Sequence, residues 1–304
     1  MPTRLKSNYR GLYNTGLTCY LNSLLQRLLH TPEFVDKLAQ TKHLNRNLME
    51  IHNFVEAYFN ELIEIDMIPF IIKQKVEEKY PEYAEKRQHD PTEFFLHFID
   101  LLDSYSDNQF TPIFDYKWEE VRKCKFNECL HVSIRKNPTL FLNLLSISIK
   151  SPDGNKNHDT LDTCYKYFQV DNMDMNCEQC NKKNIRHSNR MKVTHYPSNL
   201  QIHLKRFDAL GQKIQHEVSI PIIWKIPETN YNIICPTYKL KGVTVHLGSS
   251  VDTGHYIQIE RVVESTGENG WRLMNDNDDP LIISDERATD LINNNGYLLS
   301  YEKI

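Results

Sequence analysis

The run GLYNTGLTCYLNSLLQ, residues 11–26, sets Cys19 at the start of an amphipathic helix, five positions after Asn14 and behind a short polar turn. Leu21, Leu24, Leu25, Leu28 and Leu29 recur at three- and four-residue spacing, so they share one buried helix face and Cys19 falls in the first turn. A sulfur there lies beside backbone N–H groups that the helix leaves unpaired. The positive end of the helix dipole favours thiolate, the attacking form, over thiol. A cysteine taken without context reads as a buried core residue. The turn from Asn14 to Thr18 changes that reading, because an Asn amide placed there can donate to an oxyanion forming on a carbonyl that Cys19 attacks.

A thiol nucleophile needs a base, which in a papain-like arrangement comes from a distant part of the chain. Of the 13 histidines, His255 stands apart. From Gly254 the chain reads as a strand with alternating Ile257 and Ile259, a turn around Gly267 and Gly270, and a second strand carrying Trp271. A hairpin brings His255, opening the first strand, to Asn275 and Asp276, closing the second. That polar pair can hold the far imidazole nitrogen while the near one faces Cys19. Strand alternation lets only one of the two meet the ring squarely.

These two segments resemble the cysteine and histidine boxes of the ubiquitin-specific proteases. RQHDPTEFFLHFIDLL from Arg87 is similar to that family's glutamine-rich box, and the stretch from Pro197 containing LKRF is similar to a structural strand of its palm. The resemblance covers Gly11 to the Tyr297–Tyr301 strand. It implies a papain-like cysteine peptidase of α+β class, one catalytic domain over 1–304. A helical thumb takes about 1–107, extended β fingers about 108–135 and 165–196, and a β-sheet palm about 136–164 and 197–304. It further implies Cys19 as nucleophile, Asn14 with the Cys19 N–H as oxyanion donors and His255 as base. Counting from Trp271, Asn275 is the direct partner of His255, with Asp276 as the acid beside it. Asp90, with Glu93 and with Tyr256 of the Gly-His-Tyr entry, would meet the substrate, Asp90 taking the arginines of the ubiquitin tail. Locally, Asp90 before Pro91 and Glu93 is also a helix start. Both roles are compatible if the capping carboxylate keeps its second oxygen free.

Two residues separate Cys177 from Cys180, the spacing of half a zinc knuckle, whereas four separate Cys124 from Cys129, with His131 as a substitute ligand. The family often carries two such pairs at its fingertips. The resemblance therefore implies a structural, non-catalytic zinc on Cys124, Cys129, Cys177 and Cys180. Remnants of a lost site, or four thiols that merely lie close, remain alternatives. Cys164 and Cys235 show no partner pattern and read as core.

The chain's 304 residues allow a sizeable core, and a net charge of −4 argues against a general nucleic-acid binder while suiting a partner with a basic tail. No apolar run approaches the roughly 20 residues of a bilayer span, so no membrane partner is expected, and the first residues lack a secretory apolar core. Seven cysteines, an odd number, favour a reducing compartment, cytoplasmic or nuclear. Helices are expected over Asn47–Ile65, Phe70–Tyr80 and Thr92–Asp103. Strands follow over Thr139–Ile149, Ser198–Phe207, Lys239–Leu247, His255–Val263 and Tyr297–Tyr301, with a loop at Ser151–Asp159. Helices first and strands afterwards place a cleft where the layers meet. The expectation is a monomeric, thiol-dependent deubiquitinating isopeptidase acting on ubiquitin and ubiquitinated proteins. A protease for another ubiquitin-like modifier and an inactive ubiquitin-binding scaffold are its rivals.

Overall fold

The computed structural model describes residues 9–60, 68–126, 128–129, 131–136, 142–150, 157, 159–227, 235–251, 253–263 and 269–304. Its first part is helical: α1 Cys19–Leu29, α2 Pro32–Thr41, α3 Arg46–Phe59, α4 Ile68–Lys79, α5 Pro91–Ser106 and the short α6 Thr111–Phe114. Every residue of α1 is buried. The helix packs against α2, α4 and α5, meets α3 through the hydrogen bond from Tyr58 to Gln26, and lies against β8 and β9 of the large sheet described below. Each fully buried leucine of its stripe contributes about 1.5–3 kcal/mol, which anchors the helix whose first residue is Cys19.

Two of these helices start on side-chain caps. Asn45 accepts from the Asn47 N–H before α3, and Asp90 Oδ1 accepts from the N–H groups of Thr92 (2.6 Å) and Glu93 (3.2 Å) before α5, with Pro91 at its first position. The helix expected over Asn47–Ile65 is found as α3, and positions 61–65, with Leu62, lie outside the described residues. The sequence reading passed over α2, whose start signal is Thr31 followed by Pro32 and whose buried Phe34 and Val35 lie four and three residues before buried Leu38.

The rest of the chain supplies β1 Lys117–Cys124, β2 Val132–Lys136, β3 Leu145–Ser148, α7 Leu161–Gln169, β4 Val170–Met175, β5 Ile185–His195, β6 Asn199–Lys205, β7 Ile223–Lys225, β8 Thr237–Leu247, β9 His255–Val263, β10 Asn269–Met274, β11 Leu281–Ile283, α8 Asp285–Asn295 and β12 Gly296–Lys303. Four strands form an antiparallel sheet in the order β2-β1-β5-β4, and the others form a sheet in the order β11-β10-β9-β8-β12-β6-β3, with β7 on β8. Within the expected strand Thr139–Ile149, positions 139–141 lie outside the described residues, and the strand itself is Leu145–Ser148. Most of the expected Ser151–Asp159 loop and the Gly267 turn lie outside them too, while Gly270 sits within β10 instead of a turn.

There are two apolar cores, and α1 belongs to the first. Tyr256, Tyr297 and Leu298 of the large sheet complete the helical core, while Leu200, Ile202, Leu204, Val243, Val245, Ile257 and Ile259 fill the second. The sheet thus presents β9, with His255 at its start, against the nucleophile helix.

Candidate active site

The turn before α1 is held by one side chain. Asn14 Oδ1 accepts from the N–H groups of Gly16 (2.9 Å) and Thr18 (3.2 Å) and from the Thr18 hydroxyl (3.0 Å). Gly16 and Leu17 take left-handed backbone, φ 102° and 56°. With its oxygen engaged three times, Asn14 has only its NH₂ to turn outward, and one N–H donates to Asp276 Oδ2 (2.7 Å). The other Asp276 oxygen accepts from Asn22 Nδ2 (2.7 Å), and the Asp276 carbonyl accepts from the Leu12 N–H (2.6 Å). Gly11 lies so close to this turn that a Cβ would meet the Asn277 backbone at 2.6 Å.

His255 Nε2–H donates to Asn275 Oδ1 at 2.5 Å, whereas Asp276 Oδ2 stands 3.9 Å from the same nitrogen. Asn275 Nδ2 in turn donates to Asp278 Oδ2 (2.6 Å), which fixes the amide with its oxygen toward the ring. That leaves Nδ1 to face the Cys19 sulfur. Interaction with Cys19 is the largest influence holding His255 up at about 9. Burial opposes it, while Asn275 and the nearby charges of Cys19 and Asp276 add to it. The arrangement favours an imidazolium beside the Cys19 sulfur, with the acid for a leaving amine in place.

The geometry brings Cys19, Asn14, His255, Asn275 and Asp276 together and separates the other expected contacts. Asp90 is a cap, but its second oxygen is not free as expected, because it accepts the Tyr297 hydroxyl. A carboxylate oxygen has a second lone pair, so one acceptor direction remains. Glu93 is exposed one position beyond Thr92 on α5. Tyr256, expected to touch substrate, is instead a core residue, 2% exposed, with its ring 4.7 Å from that of His246 and 5.7 Å from that of Tyr297. Burial of a phenol body against aromatic neighbours wins over exposure here.

Four contributors escaped the sequence reading: Asn22, Asp278, Tyr297 and Gln88. Gln88 Nε2 donates to the Gly254 carbonyl (2.6 Å), tying the segment before α5 to the entrance of β9. Asn22 carried a signal, a polar residue one turn from Cys19 on a helix otherwise leucine-rich.

Between the ends of β1 and β5, the sulfurs of Cys124, Cys129, Cys177 and Cys180 all lie within 4.8 Å of one another, three of the four residues being buried. Cys129 and Cys177 sulfurs are 3.7 Å apart, against about 3.8 Å for two thiolates on a tetrahedral zinc with bonds of about 2.3 Å. Backbone N–H of Cys180 foremost holds the Cys177 thiol down at about 6, with His187 and the Gln179 N–H assisting against burial. Four sulfurs, one already favouring its anion, are a donor set that fits zinc. His131 borders the same hollow outside the cluster. Cys164 is buried in the second apolar core and Cys235 packs against it.

The model of the ubiquitin carboxyl-terminal hydrolase family matches residues 10–301. Ubiquitin carboxyl-terminal hydrolase 12 of Salmo salar is 27% identical over 321 residues, which cover 90% of this chain and 81% of that protein. Ubiquitin carboxyl-terminal hydrolase 36 of Drosophila erecta is 27% identical over 325 residues, 96% of this chain but 28% of that protein. The chain thus spans most of the salmon relative and little over a quarter of the fly one. Among solved structures, the SAGA DUB module Ubp8/Sgf11/Sus1/Sgf73 bound to monoubiquitin superposes with a TM-score of 0.75 at 23% identity, covering 97% of this chain and 69% of the other. The same module bound to ubiquitin aldehyde gives 0.73 at 22% identity, covering 99% and 71%. Both show that the folds agree.

Proposed function

The chain belongs to the ubiquitin carboxyl-terminal hydrolase family, and we propose that it is a deubiquitinating thiol isopeptidase that cleaves after the terminal glycine of ubiquitin on lysine-linked conjugates. The observation that carries this reading is the series Cys19, His255, Asn275 at the helix–sheet seam, in which Asn275 Oδ1 accepts from His255 and the imidazole faces the Cys19 sulfur. The Cys19 sulfur attacks the glycine carbonyl, forming a C–S bond. The resulting oxyanion is met by the Cys19 N–H and by the Asn14 N–H not given to Asp276. His255 then passes its proton to the lysine amine as the C–N bond breaks. Water, deprotonated by His255, hydrolyses the thioester and releases ubiquitin. Asp90, its second oxygen oriented by Tyr297, is the group for the basic tail of the substrate. The four-cysteine cluster is read as a structural zinc site joining the turn after β1 to the turn before β5, and a bound zinc would supply cross-linking and no chemistry to the reaction. All reacting groups come from one chain, so one copy suffices. Seven cysteines without a disulfide among them suit a cytoplasmic or nuclear setting.

A ubiquitin probe bearing a C-terminal electrophile should form an adduct at Cys19, located by mass spectrometry. Cys19→Ala should bind ubiquitin and cleave nothing. Parallel probes built on SUMO and other modifiers separate the related reading. Preferential labelling by one of those, or labelling of Cys177 with Cys19 untouched, would overturn the assignment. Absence of any adduct with ubiquitin binding retained would identify a scaffold.

A further inference from the structure

Roughly two turns beyond Cys19 on α1, Arg27 pairs through Nη1 with the carboxylate of Glu260 on β9, the strand that His255 opens. The two side chains are 4% and 1% exposed. The other Glu260 oxygen accepts from Gln258 Nε2 (2.8 Å), and Gln258 Oε1 accepts from the Thr244 hydroxyl on β8 (2.8 Å). Gly242 faces Glu260 across the β8–β9 ladder, and a Cβ there would collide with the carboxylate. The sheet is therefore shaped to admit this charge. None of these groups is among those that meet the substrate carbonyl.

A buried ion pair is a poor source of stability, because removing two charges from water offsets their attraction, and an apolar pair of similar volume is often neutral or better. Burial here pushes the Glu260 carboxyl up to about 7 even though Arg27 draws it down. The α1 leucines and Tyr256 of β9, which share one apolar core, already show that apolar packing is available at this seam. Direction is what the ion pair adds. A helix can shift by a fraction of an ångström over leucines at small cost, while one planar guanidinium that must reach Glu260 through Nη1 and the His30 carbonyl through Nη2, with Gln258 holding the other carboxylate oxygen, fits in one register only. One element carries the thiol and the other carries the imidazole. We propose that Arg27 and Glu260 are positioning residues that set the register of α1 on β9 and so keep the Cys19 sulfur within hydrogen-bond reach of His255. This rests on the reading of Cys19 and His255 given above.

The test is the double variant Arg27→Met with Glu260→Leu. Its thermal midpoint should equal or exceed that of the parent, while kcat on a ubiquitin substrate falls about tenfold to a hundredfold and KM stays within about twofold. Alkylation of Cys19 by iodoacetamide, followed from pH 5 to 10, should slow at the acid end, since thiolate there depends on a nearby imidazolium. That readout needs no ubiquitin, so it fails or holds independently of the substrate assignment. Arg27→Lys keeps the charge and loses the planar group that holds Glu260 and the His30 carbonyl at once, and it should show the same acid-side slowing in smaller measure. A parent-like kcat and alkylation profile in the double variant would overturn the proposal. If that variant does not fold, a parent-like alkylation profile in Arg27→Lys would overturn it instead.

Discussion

Asn275 and Asp276 are neighbours in sequence with different tasks in space. Asn275 holds the His255 ring, and Asp276 clamps Asn14 and Asn22 onto the start of α1. Asn275→Ala should leave the ring free to rotate and lower kcat by up to the 10²–10⁴-fold that a positioned acid and base contribute. An Asp at this place would sit against Asp278, whose oxygen is 2.6 Å from the Asn275 amide nitrogen. Asn275→Asp should therefore be impaired by the two facing carboxylates, and adding Asp278→Asn should restore activity by supplying a donor. Equal rates for Asn275→Asp with and without the second change would show that Asp278 does not govern this amide. Asp276→Ala releases an oxyanion donor from its anchor and should cost about 10²–10³ in kcat, with little change in KM. A near-normal Asp276→Ala beside a dead Asn275→Ala would limit Asp276 to holding the turn.

At the scale of elements, Asp90 shows how one residue serves a helix and a cleft. Asp90→Asn keeps a good N-cap but removes the charge and the acceptor of the Tyr297 hydroxyl, so stability should fall by about 1 kcal/mol while KM for ubiquitin rises, whereas Asp90→Ala also loses about 1 kcal/mol of capping. Equal KM in Asp90→Asn and parent would leave Asp90 as a cap alone. The cysteine hollow is a second element-scale case. Protein prepared without added metal should contain about one zinc per chain, and chelation should raise amide exchange in β1 and β5 while leaving iodoacetamide labelling of Cys19 unchanged. A metal-free preparation of equal thermal stability would mark the cysteines as remnants. Such features were legible where the signal is local: the leucine spacing of α1, the Asp90-Pro91 start and the His255 hairpin all lie in short windows. Less legible were contacts between residues far apart in sequence. Nothing in the sequence near Asp90 announces Tyr297, and Arg27 reads as one more polar position until β9 is laid against it. Helices α7 and α8 were missed because they are short insertions between strands with few apolar positions, such as Leu161, Cys164 and Ile292, to mark a face.

The whole molecule carries its charge economy in its histidines, and their shifts have opposite signs. Burial foremost holds His30 down at about 3 and His246 at about 4, and it lowers His52, His89, His195 and His203 in the same direction. Each contributes stability that is present above the unfolded value near 6.5 and is lost as pH falls through the folded one, because the unfolded chain takes up protons first. His255 acts the other way: its contribution is complete below about 6.5 and disappears as pH rises through about 9. Denaturant midpoints should therefore peak near neutral pH and decline on both sides. His246 gives the sharpest check, since it is fully buried and both ring nitrogens lack a partner among the described residues. An orphaned polar atom costs about 1–3 kcal/mol, so His246→Leu, which fills similar space without nitrogens, should hold or raise the midpoint at pH 7. Its decline between pH 6.5 and 4 should also be shallower than the parent's, because one proton fewer is taken up on unfolding. An acid limb parallel to the parent's would mean that this ring finds a partner and does not resist its charge. His255→Ala should leave the acid limb intact and flatten the alkaline one, which assigns the two sides of the curve to the two kinds of histidine.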